Sequence, residues 1–434
     1  MKIKTLLIAL VSLFFSCKTE TTSKFISTED IDNYWNAYDK IVATNDTILQ
    51  RKYLEEEFIS KASLGQKTMF RVRNCTPEEY LENIINYPQY WNSIRENTFK
   101  SKTLAPEINA GLEKLKRSYP DLKDAKVYFT IGAFKTGGTA VDSLVVFGTE
   151  KQLLDPTINT SEFTNNAFGM TSFSKTNPIK NVGFTAVHEF VHTQQKSFMG
   201  GNLLSACMYE GVAEFVAEKS YGELSKEACM SYGKSNKDKI LKEFKKEMFN
   251  SSYSYWLWSS APNQFNHRDL GYFIGHSIAE KFYNEFQGDK SLAIKKLIEL
   301  DYSNDEAIIE FVEEVKYFDE SLIELKRVYD ENRPTIEKIE PFENFSQTVE
   351  PGKKLVKITF SEEMDIRYRG FDYGPLGADN VLSITNFIGF EEDKKTLTFE
   401  VELKGNKRFQ VLLTKFRNKS GAEIVPYLID IKTK

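Results

Sequence analysis

The chain has 434 residues, of which 41% are hydrophobic and 27% charged, with a formal net charge of -5. Such a length exceeds one small domain and implies two or three, in an ordinary soluble globular composition. Lys and Arg are scattered among Asp and Glu, so no basic patch argues for a nucleic-acid partner.

The first segment reads as basic residues (Met1 to Lys4) followed by an apolar stretch from Thr5 to Phe15. That stretch is too short for a stable membrane-spanning helix and reads as a signal peptide, outside the fold. Ser16-Cys17 follows at once and resembles a bacterial lipoprotein processing site, with Phe14 where Leu is usual. The resemblance implies lipidation of Cys17, a tether over 18–27, and a protein held at the cell envelope, periplasmic or surface-exposed. The alternative is a plain secretory peptide with an incidental Cys. Cys75, Cys207 and Cys229 are read as buried thiols, with a Cys207–Cys229 pair left open.

Residues 28–120 read as helical. Ser27 to Asp30 offer caps, and Ile31, Tyr34, Trp35 and Tyr38 recur at helical spacing. Thr76-Pro77-Glu78-Glu79 is a helix start, and a further helix is expected from Ala105 to Tyr119. The pattern then changes to β-branched and aromatic runs at Lys126–Ile131 and Ser143–Phe147, joined by a turn-like Lys135-Thr136-Gly137-Gly138-Thr139. Helix returns from Asn181, with clear examples at 203–220, 235–248, 268–286, 289–299 and 303–328. After Arg333-Pro334 short alternating runs begin at Leu355–Phe360, Thr396–Val401 and Phe409–Leu413, which predicts an all-β sandwich over 333–434.

The chemistry concentrates at His188-Glu189-Phe190-Val191-His192. On a helix, His188 and His192 lie on one face, one turn apart, and can hold a single ion. Glu189 sits offset, within reach of a water beside the ion. Only four His occur in the chain, and a chance H-E-x-x-H in such a chain is expected on the order of a few times in a thousand. A catalytic zinc takes three protein ligands. The run Met208-Tyr209-Glu210-Gly211-Val212-Ala213-Glu214-Phe215 offers one carboxylate for the metal and a second, one turn on, for the spare N–H of a ligand His.

H-E-x-x-H followed by E-G-x-A-E-F resembles the gluzincin zinc metallopeptidases, and the stretch 126–290 is similar to a predicted zinc-dependent protease family. The resemblance implies that Glu210 is the third ligand beside His188 and His192, and that Glu214 supports His188. The G-A-M-E-N motif of the aminopeptidases is absent. Two imidazoles and a carboxylate suit Zn²⁺ better than Ca²⁺ or Mg²⁺, and Glu189 would act as general base. Oxyanion donors are sought in Tyr272 and His276, one turn apart. Gly271 and Gly275 beside them are equally explained by close helix packing, and His267 is read as a surface or capping residue. The strand at Ser143–Phe147 is weighed as a substrate-binding edge against an ordinary sheet strand.

Lys357-Ile358-Thr359-Phe360-Ser361-Glu362-Glu363-Met364-Asp365 resembles the signature of bacterial Ig-like domains. That resemblance covers 335–434 and implies a spacer or adhesive module. Its aromatics Tyr368 and Tyr373 are read as core residues in preference to a glycan site. The expected whole is a multidomain α+β protein. It has a signal peptide (1–17), the tether, an N-terminal helical region (28–120), a mainly helical gluzincin-type core with a small sheet (121–332) and the Ig-like sandwich. The expected activity is zinc-dependent hydrolysis of a peptide or protein substrate, and the alternative is a non-catalytic envelope lipoprotein that keeps the fold.

Overall fold

The computed structural model describes residues 26–198, 200–253, 255–259 and 263–434. The signal peptide, Cys17 and most of the tether lie outside these residues. Ile26 and Ser27 do not belong to a tether, because they form a short strand, β1 (Ile26–Ser27), paired parallel with β2 (Lys126–Thr130). The chain is a mixed α+β protein with two separate hydrophobic cores, one drawing on residues from Ile31 to Leu322 and one on residues from Phe342 to Ile431. Among the described residues, no helix is long and apolar enough to cross a membrane.

The first core surrounds a four-stranded sheet in the order β1-β2-β4-β3, with β3 at Gly138–Val141 and β4 at Leu144–Gly148. β2 and β4 pair in parallel, and β3 folds back antiparallel on β4 with Gly138 opposite Phe147. Parallel strands need both faces covered, and both are. Val127, Phe129, Val145 and Phe147 enter the main core. Tyr128 and Val146 turn to the other face, where Met69 meets them. Gly65 lies so close to Tyr128 that a side chain there would overlap the ring, which fixes the helix Leu64–Val72 against the sheet. The N-terminal helices therefore share one core with the residues that follow 120.

Two sequence expectations need correction here. The run at 135–139 is only partly a turn, since Gly138 and Thr139 open β3, which continues through Ala140 and the β-branched Val141. Helix 303–328 is two helices, Asp305–Val315 and Leu322–Glu331, because Lys316 turns left-handed (φ 52°) and stops the first.

The second core lies between two antiparallel sheets, ordered β5-β6-β9-β8 and β11-β10-β7. Their strands are β5 (Ile336–Glu340), β6 (Gly352–Phe360), β7 (Gly370–Asp372), β8 (Ile384–Phe390), β9 (Thr396–Leu403), β10 (Arg408–Thr414) and β11 (Tyr427–Lys432). Val356, Ile358 and Phe360 alternate inward along β6, the period-two pattern of a half-buried strand. A buried arginine joins this unit to the helical body. Arg417, 1% exposed, reaches Glu247 at 2.9 Å and Glu423 at 3.3 Å and lies over the Tyr368 ring. Tyr368 therefore packs at this junction, whereas Tyr373 is 63% exposed and is not a core residue.

Candidate metal centre

Three helices build the site. The first, Val182–His192, is apolar on most sides and buried except near its end. Its Gly183 lies against Glu107 and Tyr221, and Gly111 of the helix Ala105–Ser118 lies against Val187, so small residues let the neighbours close in. The second, Leu203–Tyr221, starts where Asn202 accepts from Ser205 N at 2.9 Å and ends at Gly222 with a left-handed φ of 85°. The third, Leu270–Glu285, crosses the second at Gly211 and Gly275, where a side chain on either would strike the other's backbone. Packing is the role the structure gives Gly275, and Gly271 likewise faces Cys207 and Leu257.

This packing brings His188, His192 and Glu210 together. His192 Nε2 lies 3.1 Å from His188 Nε2 and 3.3 Å from Glu210 Oε2, and His188 Nε2 lies 3.5 Å from the same oxygen. Their side chains are 10%, 6% and 8% exposed respectively. Two imidazole nitrogens and a carboxylate oxygen are aimed at one small volume. These atoms all lie within 4.8 Å of one another, so the group can hold a metal ion. Burial pushes the Glu210 carboxyl up, but His192 and His188 outweigh it and hold it well below the usual carboxylate range. Burial alone would lower His188; contacts with Glu210 and Glu214 raise it well above an ordinary imidazole.

Glu214 approaches the far side of the His188 ring, with its Oε2 at 2.8 Å from Nδ1. The contact is close without being aligned as a hydrogen bond. His192 Nδ1 is held by Gln195 Oε1 at 2.7 Å, and Gln195 Nε2 donates to Tyr209 O at 3.0 Å. Sequence reading passed over Gln195, although its position three residues after His192 is the signal for it. Ser225 was also missed: its hydroxyl donates to Glu214 and its backbone N–H donates to Glu218 Oε1 at 2.8 Å. Nothing in the local sequence marks Ser225, because a loop returns it to the helix.

Glu189 is half-buried beside the donors. Burial raises its carboxyl, while His188 and His192 pull the other way. A side chain at Gly138 would stand 3.1 Å from Glu189 Oε1, so β3 runs directly past the carboxylate. β3 is the outer strand of its sheet and its far edge is unpaired among the described residues. β4, proposed from sequence as the edge, is interior, with β2 on one side and β3 on the other.

Tyr272 lies at the site. Its ring stacks on His188 with centroids 6.1 Å apart, and Trp258 Nε1 donates to its hydroxyl at 3.3 Å. Burial and the charge of Glu210 push its hydroxyl well above the usual phenol range. His276 does not join it. One turn further along the helix, it is 1% exposed, sits 2.9 Å from Glu218 Oε2 and packs edge-on against Phe215. Position i+4 shares a helix face only approximately, and the neighbouring helix turns the two rings to different partners. His267 stacks on Tyr232 with centroids 3.7 Å apart. Cys75, Cys207 and Cys229 are free thiols; Cys207 and Cys229 are buried and Cys75 is half-buried.

No known family model matches the chain, and no curated protein matches it. Among solved structures it is similar to the S-layer protein rSbsC(31-844), at 12% identity and a TM-score of 0.18, covering 58% of this chain and 46% of that one. A second, surface layer protein SbsC domains 1–6, has 12% identity and a TM-score of 0.17, covering 76% of this chain and 45% of that one. The chain thus spans less than half the length of either.

Proposed function

We propose that this protein is a zinc-dependent peptidase of gluzincin type, followed by an Ig-like sandwich and held at the cell envelope through a lipidated Cys17. One observation carries the reading: three buried ligand groups converge beside a carboxylate that lies next to an outer strand of the sheet. His188, His192 and Glu210 would hold the ion, and a set of two imidazoles and one carboxylate favours Zn²⁺. When bound, zinc acidifies a water and polarises the scissile carbonyl.

The residues of the chain supply the rest. Glu189 takes the proton of the attacking water on its carboxylate and passes it to the leaving amine. Glu214 and Gln195 orient the two imidazoles. The hydroxyl of Tyr272, kept protonated by burial and by Glu210, donates to the developing oxyanion. The free edge of β3 receives the substrate backbone as an added strand.

The test is elemental analysis of the purified protein, followed by mass-spectrometric mapping of cleavage in a denatured protein mixture. About one zinc per chain is expected, lost in His188→Ala. Glu189→Gln should keep the zinc and lose cleavage by about 10²-fold or more. Zinc-loaded wild type no more active than Glu189→Gln would refute the enzyme, and absence of any metal binding would refute the site.

A further inference from the structure

Arg73 caps the C-terminal end of the helix Leu64–Val72, far in sequence from the metal donors. Its Nη2 lies 3.4 Å from Thr136 Oγ1, on the loop that enters β3. Thr136 in turn donates to Gly138 O at 2.6 Å, and a side chain at Gly138 would meet Glu189. The guanidinium therefore lies at the loop that leads into β3, the strand that passes Glu189.

Among the described residues that guanidinium pairs with no carboxylate. Arg73 is half-buried, and its Nε is buried without a hydrogen-bond acceptor. The long bond to Thr136 is the one its side chain makes among the described residues. The nearby carboxylate of Glu79 is already taken, because Lys135 Nζ holds it at 2.7 Å and also donates to the carbonyls of Arg73 and Asn74. Elsewhere in the same helical region Arg95 meets Asp39 through two bonds of 2.7 Å, the pairing a guanidinium ordinarily finds. Withdrawing a charge from water without a partner is costly, and a planar fork of N–H donors matches a carboxylate. A carboxylate from outside the chain would supply the acceptor that Nε lacks.

We propose that Arg73 is a specificity-determining residue that binds a carboxylate of the substrate next to the scissile bond. This rests on the peptidase reading above. It also gives the N-terminal helices a part in the site: they deliver a cation to the loop that leads into β3. The carboxylate can come from an acidic side chain or from the C-terminus of a peptide.

The experiment uses zinc-loaded full-length protein and two arms of matched peptides. One arm replaces Asp by Asn on either side of the scissile bond; the other amidates the C-terminus. In one arm, wild type should prefer the carboxylate by about 10- to 100-fold in kcat/KM, the scale of a charged hydrogen bond. Arg73→Met should bring that ratio to about one, and Arg73→Lys should retain part of it. The same pairs are titrated into Glu189→Gln protein to read binding without turnover. No preference in either arm, or a preference that survives Arg73→Met, overturns the proposal. If wild type cleaves nothing, the peptidase reading fails. A carboxylate preference in binding that Arg73→Met abolishes would still support Arg73 as the anion site.

Discussion

The crossing of the second and third helices makes Gly275→Ala a sharp test of how the metal centre is built. A Cβ at Gly275 would lie 1.8 Å from Cys207 O and 2.6 Å from Cys207 C. Both are backbone atoms, so no rotamer change gives relief. Ordinary contact begins at 3.4 Å, so the helices must separate by roughly 1.6 Å. Glu210 adjoins Gly211 at the same crossing, while the donor atoms of the centre all lie within 4.8 Å of one another. Metal–ligand distances tolerate only about 0.2 Å. Helix propensity alone favours Ala over Gly by about 1 kcal/mol, so the clash must exceed that to show. We expect metal-free Gly275→Ala to lose about 2 kcal/mol in urea unfolding. Its zinc affinity, read by competition with a chelator, should fall at least about tenfold. Gly211→Ala meets His276 N at 2.2 Å, and one separation relieves both clashes. The double variant should therefore lose less than the sum of the singles. A Gly275→Ala protein that is stabilised by about 1 kcal/mol and binds zinc normally would refute this packing.

Two further predictions follow from groups around the site. Gln195→Ala frees His192 Nδ1 and should weaken zinc binding about 10- to 100-fold while leaving the ligands in place; unchanged affinity in the chelator assay would remove Gln195 from the centre. Glu150 is fully buried, accepts from the N–H groups of Gly132 and Phe134, and is pushed by burial from 4.5 up to about 7. The folded state then binds the extra proton between these values, so stability from this group is full below about pH 4.5 and falls as pH rises through about 7. The loss reaches about 3 kcal/mol. Glu150→Gln, which cannot ionise, should gain about that much on wild type between about pH 4.5 and about pH 8. Urea melts that differ equally at both pH values would show the carboxyl is not shifted.

The local facts of this protein were legible in the linear sequence because short-range spacing encodes them. His188, Glu189 and His192 lie within one turn and a half of helix, so their shared face follows from the 3.6-residue period before any packing is known. The β-rich C-terminal hundred residues show their period of two in the same way. The Glu210-Gly211 and Glu214 pattern was legible through a resemblance, and the structure brings both carboxylates to the His rings. What only the tertiary structure decided is which residues meet across large sequence separations. β3, and not the more hydrophobic β4, is an outer strand, because β4 pairs with β2 on one side and β3 on the other. His276 faces Glu218 and Tyr272 faces His188, because Gly211 and Gly275 set the rotation and depth of one helix crossing. Ser225 and Arg73 carry no motif, since each is polar and ordinary where it stands. Their places come from a returning loop and a distant helix, contacts that periodicity cannot express.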